Sequence, residues 1–257
     1  MKSLPFLAFA GLAVAGCQTA PVANAGFLTR YDGLVAKEDT IRASVRQRRD
    51  DAAVTGVDSV FIEPAVLVAG AGAGLTDEQK FQVLHEVDRQ ICYEVSERFT
   101  IAAAPAGSAR IRTGVVGINP TGAAASGVAA VANALIPGPG TLRVPGSTGG
   151  LAAETELVGR GGEQLAALAW ARNANVVGTD APSLSRVGDA LQLAEPFGDA
   201  VGDAISQPGR TVRKISEPDP CASYGPRTQP AGFLTRMVTG LYVPEVNTGS
   251  TPDKPRQ

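Results

Sequence analysis

The sequence predicts an α/β fold of the α+β kind: a small mixed or antiparallel sheet with a β-hairpin, flanked by two amphipathic helices. Three observations carry this expectation. In GLTDEQKFQVLHEVDRQICYEVSERF, apolar residues Phe81, Leu84, Ile91 and Val95 recur at helical spacing. In LAAETELVGRGGEQLAALAWARNAN, two strand-like runs flank Gly161-Gly162. After Asp180, helical spacing returns at Val187, Leu191, Ala194, Val201 and Ile205.

Taken in chain order, GFLTRYDGLVAKED mixes Phe27, Leu28, Tyr31 and Leu34 with charges and reads as a partly buried N-terminal arm. RASVRQRRDDAAV gathers Arg42, Arg46, Arg48 and Arg49. These arginines fit either contact with anionic headgroups or, the preferred reading, a solvated face with Asp50 and Asp51 as counter-charges. SVFIEPAVLVA is a strand whose middle Pro64 demotes to an edge or bulge. The first helix starts at a capping box, Thr76 with Gln79, and Asp77 and Glu78 suit its first turn. FTIAAAP and ARIRTGVVGI are strand-like. PTGAAASGVAAVANALIPGPG is too short and polar to span a membrane and reads as a small helix or loop packed on the sheet.

In the hairpin, a two-glycine loop sets Ala153, Thr155 and Leu157 on one face with Trp170, Leu168 and Ala166, the core side. The opposite face carries Glu154, Glu156, Val158 and Leu165. Two carboxylates on one strand face could form an acid/base pair, but no histidine or metal-ligand partner lies near, so a solvated face is expected. Asp180 and Pro182 are read as the opening of the last helical region, with Pro196 kinking or restarting it. Beyond Gln207 the chain is turn-rich.

The ends and the composition bound the setting. MKSLPFLAFAGLAVAGC places Lys2 before an apolar run and small residues before Cys17, the layout of a secretory signal. VAGC resembles the lipobox of bacterial lipoproteins, which implies cleavage after residue 16 and acylation of Cys17, so that the partner of the N-terminus is a membrane. Gln18, where Asp would signal inner-membrane retention, favours the outer membrane, with the chain facing the periplasm. The organisation expected is a signal peptide over 1–16, a lipidated tether over 17–26, a single periplasmic domain over 27–206 and a Pro/Gly-rich tail over 207–257. Lys+Arg 23 against Asp+Glu 25 gives no electrostatic footprint for nucleic acid. Cys92 and Cys221 remain, and in an oxidising compartment they could form a bridge tying the tail to the body or stay as two separate thiols.

No catalytic signature emerges. His85, the sole histidine, lacks further ligands for zinc, and as a partner of Cys92 it lacks an orienting group, so packing is expected of it. Ser126 and Ser147 lack the glycine spacing of a nucleophile elbow. AGAGAG around Gly70, Gly72 and Gly74 matches no phosphate-binding fingerprint, and Asp77 and Glu78 would repel an anion there, so it reads as a connector. No cofactor and no metal are expected.

The hexapeptide AGFLTR occurs at 25–30 and again at 231–236. The residues that follow differ, YDGLVAKED against MVTGLYVPEV, so no domain is duplicated. Either the two copies lay Phe27-Leu28 and Phe233-Leu234 onto equivalent apolar grooves, on this molecule or a neighbour, or the repeat is chance.

GFLTRYDGL, APAGSARIRTGVVGINPT and LRVPGSTGGLAAETELVGRGGEQLAALAWARNAN, behind a lipobox, resemble the domain-of-unknown-function 3313 family of bacterial lipoproteins. The likeness covers most of 25–206, with Glu154 or Glu156, Gly161-Gly162 and Leu165-Ala166-Ala167 at the matching positions. The chain departs from the family at the turn, Gly159-Arg160-Gly161-Gly162, and in the added tail. The resemblance implies a periplasmic α/β domain and no activity. The expectation is therefore a lipid-anchored envelope protein, not an enzyme, that binds another envelope component as a structural or assembly/transport accessory, with self-association open. The alternative is a module for a small envelope ligand or lipid, bound between Gly70–Gly74 and the first helix.

Overall fold

The computed structural model describes residues 23–37, 40, 43–122, 141–143, 147–175, 177–178 and 180–248. The expected signal peptide, Cys17, Arg42 and nearly all of the alanine-rich segment lie outside these residues.

Strands β1 (Val35–Ala36) and β2 (Ala43–Arg49) lead through a short helix α1 (Asp51–Thr55) to β3 (Ser59–Ile62) and β4 (Val66–Leu67). Helix α2 (Asp77–Ser96) follows, then β5 (Thr100–Ile101) and β6 (Ala109–Asn119). After β7 (Thr141–Leu142) come the hairpin β8 (Gly150–Val158) and β9 (Gln164–Asn173), then β10 (Val177–Gly178) and helix α3 (Gly188–Ile205). The tail adds a 3-10 turn (Ala222–Tyr224) and helices α4 (Pro230–Thr239) and α5 (Pro244–Asn247).

The main sheet has the order β1-β2-β9-β8-β6-β3-β5, with β4 also on β6. It is mixed: β6, β8, β9, β2 and β1 alternate in direction, whereas β3 and β4 run parallel to β6 and β5 parallel to β3. The parallel part follows from α2, which carries the chain from β4 across to the edge strand β5.

Local chemistry explains most boundaries. The Thr76 hydroxyl accepts from the Gln79 amide and the Gln79 side chain accepts from the Thr76 amide, which fixes the start of α2. Pro64 splits the expected single strand into β3 and β4, because it brings no N–H for the ladder. In the hairpin, Ala153 pairs with Trp170, Thr155 with Leu168 and Leu157 with Ala166, the register that a glycine turn predicts. A bulge at Leu157/Val158 then widens the loop to 159–163, which the Gly159 amide closes by donating to the Glu163 carbonyl.

Three expectations need correction. The arginine-rich segment is the paired strand β2, with Arg46, Arg48 and Arg49 only partly exposed, because β9 supplies its ladder partners, while the expected counter-charge is present at Asp51, which pairs with Arg49. The last domain helix begins at Gly188, since Asp180 is held by Arg172 at 2.8 Å and by the Asn175 amide and cannot cap a helix. The tail is not only turns: it contains α4 and α5.

Helices α2 and α3 cover one face of the sheet. Val83, Val87, Ile91 and Val95 of α2 meet Leu191, Ala194, Phe197 and Val201 of α3 over Ile111, Val115, Leu157 and Leu168, all buried in one cluster. Trp170 packs on Phe197 with ring centroids 5.4 Å apart. Arg143 and Asp189 form a fully buried two-pronged ion pair that ties the chain after β7 to the first turn of α3.

Candidate functional site

Glu154 and Glu156 point from β8 to the face opposite α2 and α3. Both are fully buried. The expected solvated face is therefore a covered one, and what covers it is the N-terminal arm.

The first AGFLTR lies across this face in extended form. Glu154 accepts from the amides of Ala25, at 3.1 Å, and Phe27, at 3.3 Å, and from the Tyr31 hydroxyl. Tyr31 in turn accepts from the amides of Gly26 and Leu28. Glu156 accepts from the amide and the hydroxyl of Thr29, both at 2.8 Å. Five consecutive amides, 25 to 29, thus end on three side chains, a stand-in for the strand partner the arm lacks. Burial is the main cause, with the Glu154 contact next, that pushes the Tyr31 hydroxyl above its ordinary pKa.

The groove is shaped for the arm's side chains. A Cβ at Gly114 would sit 2.5 Å from the Phe27 ring, so only glycine in β6 admits that ring. The Arg112 guanidinium lies 5.5 Å from the centroid of the same ring and binds Glu156 at 2.6 Å. Gln164 donates to both Glu156 and the Arg30 carbonyl, and Arg48 donates to Gln164. Leu28 is 5 % exposed. A carboxylate pair so fully engaged by resident donors is a clamp for a peptide segment.

Sequence reasoning missed this clamp, though a signal was there. Across the hairpin, Glu154 pairs with Ala169 and Glu156 with Ala167, so two acids stand on a face whose neighbours are alanines. Such a pattern is what a covered face with a polar hook looks like.

The second AGFLTR has another fate. It forms α4, with Phe233 donating its amide to Gln229 in ordinary helical fashion. Phe233 is 60 %, Leu234 58 %, Met237 72 % and Val238 81 % exposed. The expectation of equivalent apolar grooves for Phe27-Leu28 and Phe233-Leu234 within this molecule is overturned, because the second copy is helical and leaves its apolar residues outside.

The tail carrying α4 is clamped to the body. Cys92 and Cys221 are bridged, with Cα atoms 5.9 Å apart. Arg227 grips Asp219 through two contacts and donates to Ser96 and the Tyr93 carbonyl. Ser183 donates to the Tyr242 carbonyl, and Tyr242 is buried.

Between α2, α3 and this tail lies a cleft of about 480 Å³ whose walls include Glu86, Arg89, Glu195, Asp199, Arg236 and Phe233. Glu86 bonds Arg89 in a buried pair, yet burial outweighs that attraction and raises its pKa to about 7. Asp199 is raised to about 6 by burial and then by Glu94. Asp88, two residues on in the same turn of α2, is raised to about 7 by burial, although it accepts from the Ala65 amide.

His85 is held between the Phe81 and Tyr224 rings, and burial followed by Arg89 lowers its pKa. Cys92 is spent in the bridge. Among the described residues no group of three or more His, Cys, Asp or Glu could hold a metal ion. None of the described helices is long and apolar enough to cross a membrane. The space beside the start of α2 is walled by Thr76, Gln79, Gln82, Leu184 and Val243, from the tail and the approach to α3.

Residues 23–201 match the family described as "Protein of unknown function (DUF3313)". The chain belongs to the DUF3313 family. The DUF3313 span contains the arm, both carboxylates, α2 and the hairpin; Cys221 and the second AGFLTR lie beyond it. No curated protein is similar enough in sequence to match. Among solved structures, one that is similar is the PelC dodecamer from Paraburkholderia phytofirmans in space group P6. Its TM-score is 0.38 at 11% identity, over 67% of this chain and 99% of that one. A variant of the same PelC dodecamer, in space group C2, gives 0.35 at 11% identity over 62% and 97%.

Proposed function

We propose that this DUF3313 protein is a lipid-anchored accessory of the bacterial envelope that acts by binding another envelope component, not by catalysis. The observation that carries this reading is the apolar face of α4, Phe233, Leu234, Met237 and Val238, displayed to solvent on a tail that a disulfide and Arg227 hold in place. A contiguous exposed apolar face marks an interaction site. The lipobox-like VAGC supports attachment through Cys17, and Gln18 supports an outer-membrane location facing the periplasm.

The test is crosslinking of the anchored protein in living cells, followed by purification and mass spectrometry. An attached envelope protein that disappears with Met237→Asp is the expected result; capture unchanged by that substitution would sink the reading. Cys17→Ala should move the protein from the membrane to the soluble fraction.

A second reading, a module for a small ligand, draws on the cleft between α2, α3 and the tail. It requires saturable thermal stabilisation by an envelope fragment, lost with Arg89→Ala or Arg236→Ala.

A further inference from the structure

The arm groove has a defined specificity: it holds the sequence AGFLTR in extended form. The chain carries that sequence twice, and the second copy is exposed. We propose that α4 of one molecule unwinds and seats its AGFLTR in the arm groove of a second copy of this chain, in place of that copy's own arm. The proposal rests on α4 as the binding surface and names its partner.

The chemistry of the groove reads residues 231–236 as it reads 25–30. Glu154 would accept from the amides of Ala231 and Phe233, Glu156 from the amide and hydroxyl of Thr235, and Gly114 would admit the Phe233 ring beneath Arg112. Residues 229–240 carry one cation, Arg236, and no acid, so nothing in the second copy repels the two carboxylates, and Arg236 would meet Arg48 as Arg30 does. Gly26 adopts φ +85°, a conformation open to glycine and strained for other residues, and the second copy has Gly232 at the same place.

Helix α4 is also cheap to unwind. It has ten residues and no side-chain N-cap, and helices shorter than about 12–15 residues are marginal without packing. Of its residues only Gly232 is buried, where it makes room for Asn247. The anchors on either side, Cys221 and Tyr242, stay put, so the segment between them can open as a loop.

The exchange is weaker than the resident arm. Met237 stands where the first copy has Tyr31, so the amides of Gly232 and Leu234 lose the acceptor that Gly26 and Leu28 enjoy. Association is therefore concentration-dependent, and it is favoured where chains are crowded on one surface. Because tail meets arm groove, the contact joins unlike surfaces and closes as a reciprocal pair or a ring, or runs on as an open chain.

The experiment places a benzophenone photocrosslinker at Met237 of the full mature chain, with Cys17→Ser to keep it soluble. Equal parts of light and ¹⁵N-labelled protein are irradiated. Expected are mixed-isotope crosslinks that map to β8 and β6 around Glu154 and Gly114, increase with protein concentration, and fall about tenfold when Phe233→Ala removes the ring that fills the groove. Phe233 is exposed, so that variant leaves the fold intact. Crosslinks that are only within one chain, or that map elsewhere on the second copy, overturn the exchange. If a different envelope protein is captured in cells through α4 while purified chains give no mixed crosslinks, the binding role of α4 stands and the exchange falls. If neither is seen, both fall.

Discussion

Residues 25–30 and 231–236 are the same six amino acids, yet one set is an extended strap and the other a helix. The difference lies in where the amides go. In the first copy they end on Glu154, Tyr31 and Glu156, side chains that another part of the fold brings to the spot. In the second the amide of Phe233 turns back on the carbonyl of Gln229 and needs no other acceptor. Backbone donors must be satisfied, and the nearest buried acceptor decides the conformation. Local propensity in a hexapeptide is too weak to overrule that.

The two copies are therefore secured by different means, and each can be released separately. Opening the Cys92–Cys221 bridge, by reduction or Cys221→Ser, should have the largest effect. It spans a sequence separation of 129 residues, and its loss should cost about 4 kcal/mol in denaturant unfolding while loosening only the tail copy. Amide exchange should rise in 226–241 and stay unchanged in 25–31; a rise in both would break the distinction.

The carboxylates offer the next contrast. Glu154 and Glu156 are saturated with donors, whereas Asp88 is buried with one backbone donor and its pKa is raised to about 7, as is that of Glu86. Groups whose folded pKa lies above the unfolded value stabilise most below the unfolded pKa, and that contribution is lost as pH rises through the folded one. Stability should thus fall between about pH 4 and pH 7, by something on the order of 3 kcal/mol for each group, and Asp88→Asn should flatten the profile. A stability that rises over this interval would contradict the assignment.

Glu156→Ala should cost roughly 2–3 kcal/mol, since Thr29, Gln164 and Arg112 lose their shared acceptor, and it should free residues 25–31 to proteolysis while α4 stays as it was. Gly114→Ala should expel Phe27 at a cost of about 1–3 kcal/mol, with faster exchange in the arm. The smallest effect sharpens the comparison most: Phe27→Ala should lower the melting temperature, whereas Phe233→Ala, at an exposed site, should change stability by less than about 0.5 kcal/mol.

Several features are legible in the amino-acid sequence alone. The capping box at Thr76 starts α2, the hairpin register follows from its glycines, and the α+β class follows from the change of period along the chain. Strand β2 is hidden there because four arginines in a short run look like surface, and pairing with β9 keeps the stems of Arg46, Arg48 and Arg49 partly buried. The start of α3 is obscured because Asp180 reads as a cap, but Arg172, distant from any helix end, claims it. Strand alternation places Glu154 and Glu156 on one face, as found, but it does not say that an arm more than a hundred residues away lies over that face.

Periodicities, caps, the turn and the presence of two identical hexapeptides are properties of neighbours along the chain, and the sequence settles them unaided. That one hexapeptide is a strap and the other a helix, and that two acids are a clamp rather than a wet edge, is settled only by the folded arrangement. Those outcomes depend on which donors and acceptors meet across long loops, and a buried polar group takes the partner that folding brings to it.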